Sequence, residues 1–147
     1  MKKMLIAVFA VLLLSNFVFA GSIEDFISDG RWDHGTSWGY NQMPKINSWS
    51  ASGCCAYVAD YVRYCYGATS PSSGSKFWGA GNIRRGDVLF FSPDHWVVVV
   101  NRSGNDLYTA EGNWNYQVTV GWNYQVVGNQ VYRNGRYWRA FQYGFHH

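Results

Sequence analysis

The spacing of apolar residues along the chain changes character near residue 87. Before it, Cys54, Tyr57, Val58, Tyr61, Val62 and Cys65 fall at i, i+3, i+4, i+7, i+8 and i+11, which places one stripe on a 3.6-residue helix. The spacing predicts a helix over residues 52–66 with that stripe buried. Ser52 is in position to cap its start, and Gly67 stands just past the last periodic residue, where helices favour a left-handed terminator. A shorter helix is predicted over residues 22–29: Ser22 and Asp25 have capping-box spacing, Ile23, Phe26 and Ile27 are apolar, and Gly30 follows. Residues 31–50 have no period and read as a long ordered loop. Residues 69–82 are Ser/Gly-rich and read as a connection anchored by Phe77 and Trp78.

After Asp87 the pattern is that of strands. Val88 to Phe91 is an apolar run, and Pro93-Asp94 turns it into the β-branched stretch from His95 to Val100. A turn at 103–106 leads to a return strand over 107–111. The pentapeptide Trp-Asn-Tyr-Gln-Val occurs at 114–118 and again at 122–126, and is read as two adjacent strands. Asn134-Gly135 is a two-residue hairpin signal. Helices first and an antiparallel meander second give an α+β domain, with N-terminal helices packed on an antiparallel β-sheet.

Composition adds compartment and excludes some partners. Lys2 and Lys3, the apolar run from Leu5 to Leu14 and the small residue Ala20 before Gly21 are the marks of a secretory signal peptide over residues 1–20. The expected product is secreted, extracellular or periplasmic, a single domain over 21–147 and a monomer. That run is short for a membrane span and no second one follows, so no integral span is expected. Without Lys2 and Lys3 the formal charge falls from +3 to +1, which leaves no basic field for nucleic acid. The cysteine count of 3 is odd. Cys55 and Cys65 lie roughly 15 Å apart along one helix, beyond the ~7 Å that a disulfide tolerates. Free thiols in an exported protein invite a functional reading.

Cys54 is the thiol placed for chemistry. It falls in the first helical turn, where unpaired N–H groups and the helix dipole favour a thiolate. His95 begins an otherwise apolar strand row with Val97 and Val99, and a buried imidazole there needs partners. Glu111 and Asn113 lie at the end of the neighbouring strand, so a carboxylate or an amide is available to orient the ring. Each residue alone is more readily structural; together they make a Cys–His pair with an orienting third group. No metal-ligand spacing is present and no cofactor is expected. Trp38, Tyr40, Trp96, Trp114 and Trp122 are candidates to line a substrate groove.

These motifs resemble those of the CHAP and NlpC/P60 cell-wall hydrolases. Gly53-Cys54-Cys55-Ala56-Tyr57-Val58 is similar to their cysteine motif and selects Cys54 over Cys55. Arg85 to Phe91 resembles their Gly-Asp-Val strand, His95 to Val99 their histidine strand, and Glu111-Gly112-Asn113-Trp114 the Glu-x-Asn element of CHAP domains. The resemblance implies a papain-like, NlpC/P60-like fold and a cysteine peptidase or amidase that hydrolyses peptidoglycan. The bond would be the muramoyl-alanine amide or one in the stem or cross-bridge peptide. It further implies Cys54 as nucleophile, His95 as general base, Glu111 as orienting group and Asn113 as a supporting residue. The alternatives are a secreted carbohydrate- or wall-binding module, suggested by the repeat and the aromatic-rich tail, and an inactive protein of hydrolase fold.

Overall fold

The computed structural model describes residues 21–46 and 49–147; the expected signal peptide lies outside the described residues. Helix α1 spans Ile23–Ile27, shorter than expected, and its reciprocal Ser22–Asp25 capping box is present. Five residues are too few for an independent helix. What holds α1 is Phe26, fully buried and ringed by Trp32, Tyr57, Tyr61 and Tyr64 at centroid distances of 4.5 to 5.7 Å. Burial of that ring contributes about 2–3 kcal/mol.

Helix α2 spans Gly53–Tyr66. Ser52 holds the N-cap position but its side chain makes no capping bond, and Gly67 closes the other end in the left-handed conformation. The Gly67 and Ala68 N–H groups return to the carbonyls of Arg63 and Val62, so the orphan carbonyls of the last turn are satisfied. The predicted stripe is buried, and so are Gly53, Ala56, Ala59 and Asp60 on the opposite flank. The loop after α1 covers that flank. Asp60 is buried and accepts the Trp32 indole N–H at 2.9 Å and the backbone N–H groups of Lys45 and Ile46 at 2.8 and 2.9 Å.

Seven strands follow: β1 (Ser75–Phe77), β2 (Val88–Phe91), β3 (His95–Ser103), β4 (Asp106–Trp114), β5 (Gln117–Val127), β6 (Gln130–Arg133) and β7 (Arg136–His146). From β2 to β7 each strand pairs antiparallel with the next, and β7 also pairs with β2. The result is a closed six-stranded antiparallel barrel, with β1 added outside along β7. The expected papain-like α+β arrangement of N-terminal helices on an open sheet is therefore corrected. Among the described residues a single helix exceeds five residues, and it lies against the outside of a barrel. Register shifts at Phe90/Phe91, Val99/Asn101, Thr109/Ala110, Glu111/Trp114 and Val131/Tyr132 supply the curvature that closure needs. Gly144 lets β7 pack tightly, since a Cβ there would meet the Phe77 ring at 2.4 Å.

Strand alternation divides the core in two. Leu89, Phe91, Val97, Val99, Leu107, Tyr124, Val126, Val131 and Phe141 fill the barrel, while Val88, Val98, Ala110 and Val118 pack outward against α2. Both faces of β3 are thus buried, which is why Val97 to Val100 reads as an unbroken apolar run. The Asn134-Gly135 hairpin forms as expected, with φ of 51° and 73°. The pentapeptide repeat does not form two adjacent strands. Its first copy crosses the β4–β5 turn, where Asn115 and Tyr116 have φ of 49° and 61°, and its second lies within β5.

Candidate active site

Cys54 stands in the first turn of α2, where that helix meets the start of β3. Its Sγ donates to the Asp94 carbonyl at 3.6 Å and accepts the Trp96 N–H at 3.4 Å. The helix start is clamped in place, for the buried Trp38 indole N–H donates to the Gly53 carbonyl at 2.9 Å and the Gly53 N–H donates to Gln42. Gly53 has φ of +57° and lies under Asn113, whose Nδ2 is 3.3 Å from where a Cβ would sit. A side chain at position 53 is therefore unfavourable for both backbone and space.

His95 lies between the sulfur and the barrel interior. It is 6% exposed and heads the inward row that continues with Val97 and Val99. Its Nε2 bonds the Glu111 carboxylate, which leaves Nδ1 as the ring nitrogen available to the thiol, whose sulfur bonds the backbone on both sides of His95, at Asp94 and Trp96. Glu111 is fully buried and accepts Thr109 Oγ1 at 3.1 Å and the Tyr124 hydroxyl at 2.9 and 3.2 Å. A buried carboxylate with three donors is well satisfied. Cys54 outside the barrel thus adjoins the head of a polar chain that runs from His95 to Glu111, Tyr124 and Thr109 inside it. Trp114 and Trp138 shield the imidazole, their rings edge-on to it at 6.3 and 5.5 Å.

Burial opposes the charged imidazole, but the hydrogen bonds to Cys54 and Glu111 and the charges of both outweigh it and bring the His95 pKa up to about 9. The balance therefore favours the imidazolium form of the ring. The first turn of α2 presents the positive end of its helix dipole on the same side. The other two thiols lack this setting. Burial, with a smaller contribution from Cys54, pushes Cys55 up to about 12, and burial followed by the charge of Asp25 does the same for Cys65. All three cysteines are free.

Cys54 and His95 open onto a cleft of about 500 Å³. Of the residues expected to line a groove, Tyr40, Trp96 and Trp114 do so, with Tyr40 69% exposed. Trp38 does not: it is buried between Tyr57 and Gly112 and positions the helix start. Trp122 packs beside Trp114 under the Arg133 guanidinium, outside the cleft wall. Asn113 lines the cleft above Gly53, and it is Glu111 that takes the imidazole nitrogen. The structure also brings in residues that the sequence reading missed. Thr109 shares the inward face of β4 with Glu111, a relation that period-two alternation carries. Tyr124, Trp138 and Arg139 arrive only through barrel closure, which no local signal announces. Among the described residues no three His, Cys, Asp or Glu side chains converge to hold a metal ion, and no helix is long and apolar enough to cross a membrane.

Comparison with protein-family models, curated proteins and solved structures finds no match for this chain.

Proposed function

We propose that the protein is a cysteine-dependent amide hydrolase acting on peptidoglycan, with Cys54 as nucleophile, His95 as proton carrier and Glu111 as the group that holds His95. The observation that carries this reading is the placement of Cys54, bonded to the backbone on both sides of His95, beside the His95–Glu111 pair, which is buried at its acidic end and lies next to a cleft at its sulfur end. The peptidoglycan assignment rests on the order of the four sequence motifs and on the expected export of the chain.

In the proposed cycle the Cys54 Sγ–H leaves the Asp94 carbonyl, its proton passes to His95 Nδ1 and the thiolate attacks the amide carbonyl carbon. Negative charge develops on the carbonyl oxygen. The Cys54 and Cys55 N–H groups, which helix geometry leaves without an intrahelical acceptor, are the donors placed to receive it. The imidazolium gives its proton to the leaving nitrogen as the C–N bond breaks, and a thioester forms on Sγ. His95, now neutral, takes a proton from water; the hydroxide carbon–oxygen bond forms, the carboxylic acid leaves and the thiol is restored. Glu111 holds the ring through Nε2 at each imidazolium stage.

The test is release of new amino groups from purified peptidoglycan by residues 21–147 under reducing conditions. The unsubstituted protein and Cys55→Ala should release them and Cys54→Ala should not, and fragment masses would identify the bond. If none of the three releases fragments while all sediment with the wall, the exposed aromatics Tyr40 and Tyr116 favour a wall-binding module instead.

A further inference from the structure

A second polar surface surrounds the β6–β7 hairpin, away from the cleft. Two hollows of about 390 and 370 Å³ adjoin there and share Asn134. The second copy of the pentapeptide builds one of them. Tyr124 and Val126 belong to the barrel core, so strand alternation sends Asn123 and Gln125 outward, where both are exposed beside Tyr132. Arg133, Arg136 and Tyr137 line the other, and Tyr137 is 59% exposed. Neither hollow has an acidic residue in its lining. Asp106 is engaged at the outer edge, where it accepts Gln125 Nε2 at 3.5 Å. Arg133 lies over the Trp114 and Trp122 rings, 3.7 and 4.1 Å from their centres, and its Nε is buried without an acceptor. Among the described residues neither Arg133 nor Arg136 forms an ion pair. Ring faces hold a guanidinium in place without cancelling its charge, and a half-buried cation with no counter-charge is costly to keep.

We propose that this surface binds a polysaccharide chain bearing acidic groups, outside the cleft and independently of any bond the protein cuts. Amide side chains supply both donors and an acceptor, which suits sugar hydroxyls, themselves donors and acceptors. Asn123 and Gln125, two residues apart on one strand face, lie about 7 Å from each other, within reach of one substituted sugar ring. The exposed Tyr137 ring offers an apolar face for a pyranose, and its cross-strand neighbour Tyr132 braces it edge-on at 6.2 Å. The two arginines add forked N–H donors that match a carboxylate or phosphate substituent. The surface thus has a neutral, amide-lined end and a cationic end. A reader of nucleic-acid phosphates needs clustered Lys and Arg, and two arginines among amides and tyrosines do not make that field. Trp138 lies between this surface and the thiol: it lines the arginine hollow and stands edge-on to His95 at 5.5 Å. A chain held here keeps the cleft close to the same polymer.

The experiment measures binding by calorimetry to the Cys54→Ala protein, so that no turnover intrudes. Three probes separate sugar from charge: chitohexaose, its carboxymethylated derivative and poly(glycerol phosphate). The carboxymethylated glycan should bind about tenfold more tightly than the neutral one, and that preference should shrink with added salt while neutral binding holds. Arg136→Gln should remove most of the preference and leave chitohexaose affinity unchanged. Tyr137→Ala should weaken both glycans several-fold, and poly(glycerol phosphate), which has charge but no pyranose ring, should bind about tenfold more weakly than the acidic glycan. Failure of both glycans to bind, equal affinity for the two, poly(glycerol phosphate) binding as tightly as the acidic glycan, or binding that survives Arg136→Gln with Tyr137→Ala in a normally melting protein would overturn the proposal. Acid-selective glycan binding by a protein that, with Cys54 intact, cleaves no peptidoglycan would sink the hydrolase reading and leave this surface standing.

Discussion

His95 reaches into the mouth of the barrel to bond Glu111 through Nε2, so the imidazole that serves the external thiol is oriented from the barrel interior. A neutral amide in place of Glu111 would offer N–H groups to Nε2 and favour the ring tautomer that points its proton the wrong way. Glu111→Gln is expected to lower kcat by about 10²- to 10⁴-fold with little change in secondary structure. Steady-state kinetics beside circular dichroism checks this, and unchanged kcat would remove Glu111 from the mechanism.

The raised pKa of His95 carries a pH dependence of known sign. Folding favours its imidazolium, so the stability it contributes is complete below the ordinary value near 6.5 and is lost as pH rises through about 9. Unfolding free energy should fall across that interval in the parent protein and fall less in His95→Gln. The same deprotonation removes the proton needed by the leaving amine, so kcat/KM should decline with a limb near pH 9. Denaturant titrations and rates over pH 6 to 10 test both expectations.

Tyr124 steadies Glu111 from across the barrel. Tyr124→Phe leaves the ring stacked on Trp138, at a centroid distance of 4.9 Å, while removing one of three donors to a buried carboxylate. The expected cost is about 1–3 kcal/mol of stability and a fall in kcat smaller than that of Glu111→Gln. Urea unfolding and kinetics on the one variant separate the two effects; a loss of kcat equal to that of Glu111→Gln would mean that the hydroxyl does more than hold the carboxylate.

Asp60 carries the loop that forms the outer flank of α2. Asp60→Ala orphans the Trp32 indole and the Lys45 and Ile46 amides and should destabilise by about 3–5 kcal/mol. Asp60→Asn, which keeps an acceptor, should cost about 1–3 kcal/mol. Thermal and chemical denaturation of the pair checks the order. Because Tyr40 lies on the same loop, Asp60→Asn should raise KM more than it lowers kcat.

The parts of this structure legible in the sequence are those with local causes. The Ser22–Asp25 box, the left-handed Gly67 and the Asn134-Gly135 turn depend on two to four neighbouring residues, and each forms. Cys54, His95 and Glu111 were legible because a helix start and two strand ends set their positions. Closure of the barrel was not, because it depends on β7 pairing with β2 at one edge and β6 at the other. The second half of the chain was misread for a related reason: Gly121, with φ of 81°, falls where the β4–β5 register shifts, so β5 has no single alternation to read. Trp38 looked like a groove aromatic by composition, and only the fold of the preceding loop turns its indole toward Gly53.

The measurement that tests the central claim most directly is alkylation of the reduced protein with limiting iodoacetamide at pH 7, following amide hydrolysis and the site of modification together. The account predicts that activity disappears in proportion to carbamidomethylation of Cys54, with Cys55 and Cys65 unmodified. Activity that survives complete modification of Cys54, or that is lost in step with Cys55, would contradict it.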